Sequence, residues 1–173
     1  MIITVAGAGT WGAALGRALS QKGYEIRIWS RFQEETDTLS TERKHPNLPG
    51  VIIPEEIVFT SDIREAAAGA DYLLMVVPSV YTRETMRDFA PYIEEKTVLI
   101  SAAKGIEKDT LMTLTEVLRD ELEKAGKKNQ AVALSGPTHA EEVARDLPTL
   151  IVCACEDMDC AAGVQQLFDG TCI

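Results

Sequence analysis

Three glycines near the amino end have the spacing needed to hold an anion. An apolar run, Ile2 to Ala6, meets a turn containing Gly7, Gly9 and Gly12. The turn runs into Ala13-Ala14-Leu15-Gly16-Arg17-Ala18-Leu19, so the order is strand, tight loop, helix. In that context the G-x-G-x-x-G spacing is a dinucleotide fingerprint. Gly7 permits the tight turn, Gly9 leaves room for a pyrophosphate beside the backbone, and Gly12 lets helix and strand pack closely. The free amides and the positive dipole end of the helix favour an anionic group. A glycine-rich turn that binds nothing is the plainer alternative. A second strand at the expected distance, Tyr24 to Trp29, favours the fingerprint.

That second strand ends at Ser30-Arg31-Phe32. Sites selective for NAD place an Asp or Glu there to bind the ribose 2′-hydroxyl. No acid stands at this strand end. Ser30 and Arg31 could instead face a 2′-phosphate, so the expected cofactor is NAD or NADP, with NADP(H) permitted and open to being the preferred one. The alternative for Arg31 is a solvated surface arginine. Glu34 and Glu35 are expected to point away from the site on the next helix. Lys104 follows an apolar strand, Thr97 to Ala102, and taken by itself reads as an exposed lysine in a loop. Ser135-Gly136-Pro137-Thr138 forms a second glycine-bearing strand-to-helix turn, a candidate anion cradle with Pro137 in the first helical turn. His45, beside Pro46 in a loop, reads as a solvated histidine. Cys153 and Cys155 fall on one side of a strand but fit no standard zinc spacing, so no metal is expected.

The 173 residues are 46% hydrophobic, enough for one domain with a substantial core. Net charge is −10, from 17 basic and 27 acidic residues, which argues against a nucleic-acid surface. The acids read as a solvated face. No apolar run is long enough to span a bilayer, and the expected location is cytoplasmic. Further strands are expected at 57–60, 71–78, 130–134 and 150–155, and helices at 33–41, 80–90, 110–124 and 158–168. In the helix at 110–124, Leu111, Leu114, Leu118 and Leu122 would share one face. The near-continuous apolar run at 71–78 predicts a central parallel strand. Residues 170–173 read as the start of another strand, with more protein to follow. The predicted fold is α/β: a Rossmann-type, doubly wound, mostly parallel sheet with extra C-terminal strands.

Several motifs lie in order: Gly7 to Gly12, Asn47-Leu48-Pro49-Gly50, Val77-Pro78-Ser79, Ser101 to Glu107, Leu134 to Ala144, Pro148 to Ala154 and Gln165 to Phe168. Together they resemble the bacterial NAD(P)-dependent glycerol-3-phosphate dehydrogenases. The likeness covers essentially the whole chain and only the family's N-terminal domain. It implies reversible reduction of dihydroxyacetone phosphate to sn-glycerol 3-phosphate, for phospholipid synthesis. By matching position it assigns cofactor contacts to Gly7, Gly9, Thr10, Trp11, Gly12, Arg31, Phe32, Lys104 and Ala140. It assigns substrate contacts to Lys104, Gly136 and Thr138. The family often has an aromatic before Leu-Pro-Gly; here Asn47 stands there, and no contact is carried onto it. The family's proton-transfer lysine belongs to a helical C-terminal domain outside this sequence, and His139 matches no catalytic position. This chain is therefore expected to bind cofactor and to turn over poorly alone. The intact protein could form a homodimer.

Overall fold

The apolar runs assemble into one sheet. In a computed structural model describing residues 1–173, seven strands alternate with helices. The strands are β1 (Ile2–Ala6), β2 (Glu25–Trp29), β3 (Val58–Thr60), β4 (Tyr72–Met75), β5 (Val98–Ser101), β6 (Ala131–Ser135) and β7 (Val152–Ala154). The helices are α1 (Thr10–Ser20), α2 (Gln33–Glu42), α3 (Ile63–Ala67), α4 (Ser79–Phe89), α5 (Leu114–Lys124), α6 (Ala140–Val143) and α7 (Met158–Phe168). The strand order is β3-β2-β1-β4-β5-β6-β7. All pairs are parallel except β6 with β7, which is antiparallel. This is the doubly wound order, with its switch point between β1 and β4.

Burial explains the layering. One apolar cluster joins Ile3, Val5, Leu15, Leu19, Ile28, Leu39, Val164 and Phe168, packing α1, α2 and α7 on one face. The other joins Leu73, Met75, Met86, Phe89, Leu99, Leu118 and Leu122, packing α4 and α5 opposite. The central strands are buried on both sides, as their unbroken apolar runs require.

Three element boundaries differ from expectation. α5 starts at Leu114, not at residue 110, because Thr113 and Glu116 form a reciprocal capping box. Leu111 lies in the preceding turn at φ 58 and is 72% exposed, so it leaves the apolar face. Pro137 precedes the His139 N-cap of α6 and is outside the helix, which is a single turn. Residues 170–173 form no strand; Gly170 turns the chain at φ 79, and the Cys172 carbonyl accepts from the Thr149 amide at 2.7 Å. The four cysteines are free thiols. Burial pushes the Cys160 thiol up to about 11.

Two glycines of the first turn should respond in opposite ways. A Cβ on Gly12 would lie 1.9 Å from the Gly7 carbonyl oxygen, whereas a Cβ on Gly9 meets nothing within 4 Å. Gly12→Ala is expected to cost about 1–3 kcal/mol of stability through overpacking. Gly9→Ala is expected to cost less than about 1 kcal/mol, the small loss at an N-cap. Urea unfolding of both variants checks the contrast.

Candidate nucleotide-binding site

The register of the sheet gathers the candidate residues. Ala6, Trp29, Met75, Ser101 and Ala133 form one row across five strands. The loops that follow them leave the sheet together at its carboxyl edge, where ligands of open α/β sheets collect. The first amides of α1 point there without intrahelical partners. Gly9 supplies no side-chain cap, and the first turn holds no acid. That end of α1 is therefore free to take an anion.

A cavity of about 640 Å³ opens in front of it. Gly7, Gly9, Thr10, Trp11 and Gly12 form its floor, Arg31 and Phe32 one rim, and Val77, Pro78 and Tyr81 the opposite wall. An adjoining cavity of about 270 Å³ is lined by Trp11, Ala102, Lys104, Thr138 and Ala140. Trp11 belongs to both. Its indole Nε1 donates to the Ala102 carbonyl at 3.0 Å, which fixes the ring across the switch point. Lys104 Nζ donates to the Thr138 carbonyl at 3.2 Å, so these two residues from neighbouring sheet ends share one crevice. Of the expected set, only Gly136 lines neither cavity. It packs on β7's approach instead, where a Cβ would lie 2.6 Å from the Leu150 carbonyl.

Ion pairs hold the loops that carry these groups. Arg83 of α4 grips Glu107, three residues past Lys104, with two bonds of 2.7 Å. Arg83 holds the Glu107 carboxyl down to about 2. Arg83 also reaches Asp120 and Glu121 on α5. Glu121 is 3% exposed and pairs with Arg87 and Lys124 as well, so this acid is no part of a solvated face. Arg17 of α1 makes a bidentate pair with Asp146, just past α6, at 2.8 and 2.9 Å.

The far rim departs from expectation. Arg31 is neither free nor simply solvated: its guanidinium bonds Glu84 at 2.8 Å and Asp88 at 3.1 Å on α4. Glu35 does not point away; it lines the cavity and accepts a hydrogen bond from the Ser30 hydroxyl. The first turn of α2 folds directly back on the end of β2, a proximity that linear spacing does not display. His45 is 7% exposed, not solvated. Its Nδ1 accepts from the Asn47 amide at 3.1 Å, and the ring also meets the Ala8 carbonyl of the glycine turn. Asn47 Nδ2 donates to Thr10 Oγ1 at 3.1 Å. The loop at 45–50 thus supports the glycine turn from outside. Leu48 and Val51 anchor that loop in the core.

Fold and cleft together define a Rossmann-type nucleotide-binding domain. Residues 2–161 match the family described as NAD-dependent glycerol-3-phosphate dehydrogenase N-terminus, and the chain belongs to that family. It is 53% identical over 168 residues to an NAD(P)-dependent glycerol-3-phosphate dehydrogenase of Lactobacillus delbrueckii subsp. bulgaricus, covering 96% of this chain and 50% of that protein. It is 40% identical to one from Agathobacter rectalis, covering 96% and 48%. The crystal structure of a glycerol-3-phosphate dehydrogenase from Coxiella burnetii superposes with a TM-score of 0.89 at 30% identity, covering 98% of this chain and 51% of that one. The chain spans about half the length of the curated relatives it matches. No helix is long and apolar enough to cross a membrane.

Burial lowers the His45 pKa below the ordinary 6.5, with Glu35 and the Ala8 carbonyl opposing weakly. The folded chain therefore resists the proton that the unfolded chain accepts. His45 favours folding fully above pH 6.5, and that contribution fades as pH falls through the depressed folded value. An NMR titration of the ring protons is expected to give a midpoint below 6.5. A midpoint at or above that value would contradict the buried neutral ring.

Proposed function

We propose that this chain is the cofactor-binding half of an oxidoreductase that interconverts dihydroxyacetone phosphate and sn-glycerol 3-phosphate with NAD(P)(H). The observation that carries the reading is that the two cavities adjoin, sharing Trp11, Val76, Val77 and Pro78 as lining. The residues present fit a dinucleotide. The amides of Thr10, Trp11 and Gly12 would hold the diphosphate, since no acid or cap competes for them. Arg31 and Phe32 would border the adenosine end, and Ala140 would approach the nicotinamide end beside Trp11.

When bound, the nicotinamide supplies or accepts the hydride. Lys104 places a fixed positive charge in the crevice where the substrate carbonyl would sit. That charge favours the oxygen as it becomes negative, and it is worth most where water is excluded. Thr138 offers a hydroxyl on the same wall. The proton that completes reduction requires a donor held near that oxygen. The matched relatives have about as much chain again, and we assign proton transfer and most of the phosphate grip to that part. Cytoplasmic location and a role in phospholipid precursor supply accompany this reading.

Titration with reduced dinucleotide is expected to quench the fluorescence of Trp11 and Trp29 saturably, because both line the cavity. A flat titration with both NADH and NADPH would overturn the proposal. In a protein extended to the full length of the relatives, Lys104→Ala is expected to lower dihydroxyacetone phosphate reduction about 10²–10³-fold, the usual effect of deleting one charge-stabilising group. The dinucleotide Kd should change far less.

A further inference from the structure

The carboxyl edge of β2 decides which dinucleotide fits, and its side chains form a charge arrangement that the strand sequence conceals. We propose that Glu35, braced by Ser30, is the specificity-determining acceptor for the adenosine ribose 2′-hydroxyl and selects NAD(H) over NADP(H). The inference rests on the dinucleotide-binding reading given above.

Four observations support it. Glu35 lines the same cavity as Gly7 to Gly12, on the rim shared with Ser30, Arg31 and Phe32. One carboxylate oxygen, Oε2, accepts a hydrogen bond from the Ser30 hydroxyl, and the Ser30 oxygen in turn accepts from the Phe32 amide at 3.2 Å. That chain of bonds fixes the carboxylate and leaves Oε1 for a ligand hydroxyl. Glu35 is half-buried, which sharpens its preference for a donor over another anion.

The arginine that would compensate a 2′-phosphate is already committed. Glu84 and Asp88, one turn apart on α4, bind both terminal nitrogens of Arg31. The cavity is therefore lined by one carboxylate, Glu35, and one guanidinium, Arg31, whose charge is already shared with Glu84 and Asp88 on α4. A 2′-phosphate brings further negative charge into that field and must also displace carboxylates from Arg31. A 2′-hydroxyl brings a donor that Glu35 can accept without rearrangement. Discrimination comes from both parts, a made contact for one ligand and a repulsion for the other.

Isothermal titration calorimetry with NADH and NADPH tests this on the chain and three variants, each checked for an unchanged melting curve. The unaltered chain is expected to bind NADH at least about tenfold more tightly than NADPH. Glu35→Gln keeps an acceptor and removes the charge, so NADPH should gain while NADH changes within about threefold. Glu35→Ala should weaken NADH. The double variant Glu84→Gln, Asp88→Asn frees Arg31 and should raise NADPH affinity alone. Equal or tighter binding of NADPH by the unaltered chain overturns the inference. So does a preference for NADH that Glu35→Gln leaves unmoved. Binding of neither dinucleotide defeats the cofactor reading itself, and the inference with it.

Discussion

The packing of Gly12 against the Gly7 carbonyl sets the geometry of the first turn. Any side chain on Gly12 would collide with that oxygen at 1.9 Å. Because nothing intervenes, α1 starts directly behind β1 and its unpaired amides face the point where β1 and β4 diverge. Gly7 itself turns at φ 128, where L side chains are strained, and it donates to the Trp29 carbonyl at 2.9 Å. One backbone arrangement thus joins the amino end of α1, with its unpaired amides, to the edge of β2. The remaining binding groups are placed relative to it by the parallel register of the sheet.

Register alone would leave the carboxyl-edge loops loosely held. Charge pairs restrain them. Arg83 ties the loop after β5 to α4 and α5, and Arg17 ties the segment after α6 to α1. Exposed ion pairs add little stability. Here their value is positional: Glu121 is buried and shared among three cations, so its geometry is over-determined. Lys104 and Thr138 meet across a gap that these pairs hold closed from both sides. Positioning of this kind is a large part of what a catalytic scaffold provides.

The glycine turn has supports on its outer side too. His45 and Asn47 reach Ala8 and Thr10 from the loop at 45–50. Burial of a neutral imidazole costs less than burial of a charged one, which suits a strut beside an anion-binding turn. Glu35 bonds Ser30, and its charge partly offsets the burial that lowers the His45 pKa. The rim at the end of β2 and the loop at 45–50 thus lie within the influence of one carboxylate.

Periodicity and punctuation in the sequence were enough to determine the α/β class, the strand-turn-helix at residues 2–20 and the buried central strands. Those features depend on local chemistry: glycine spacing, apolar runs and motifs that stay contiguous. Helix starts were less legible where a side-chain cap competed with propensity, as at Thr113. The tertiary structure alone decided the partners of Arg31, the inward placement of Glu35, the burial of His45 and the packing of Gly136 against Leu150 and Ile151. Each is a long-range or fold-back contact between side chains whose directions depend on how helices seat on the sheet. No count of intervening residues encodes that seating.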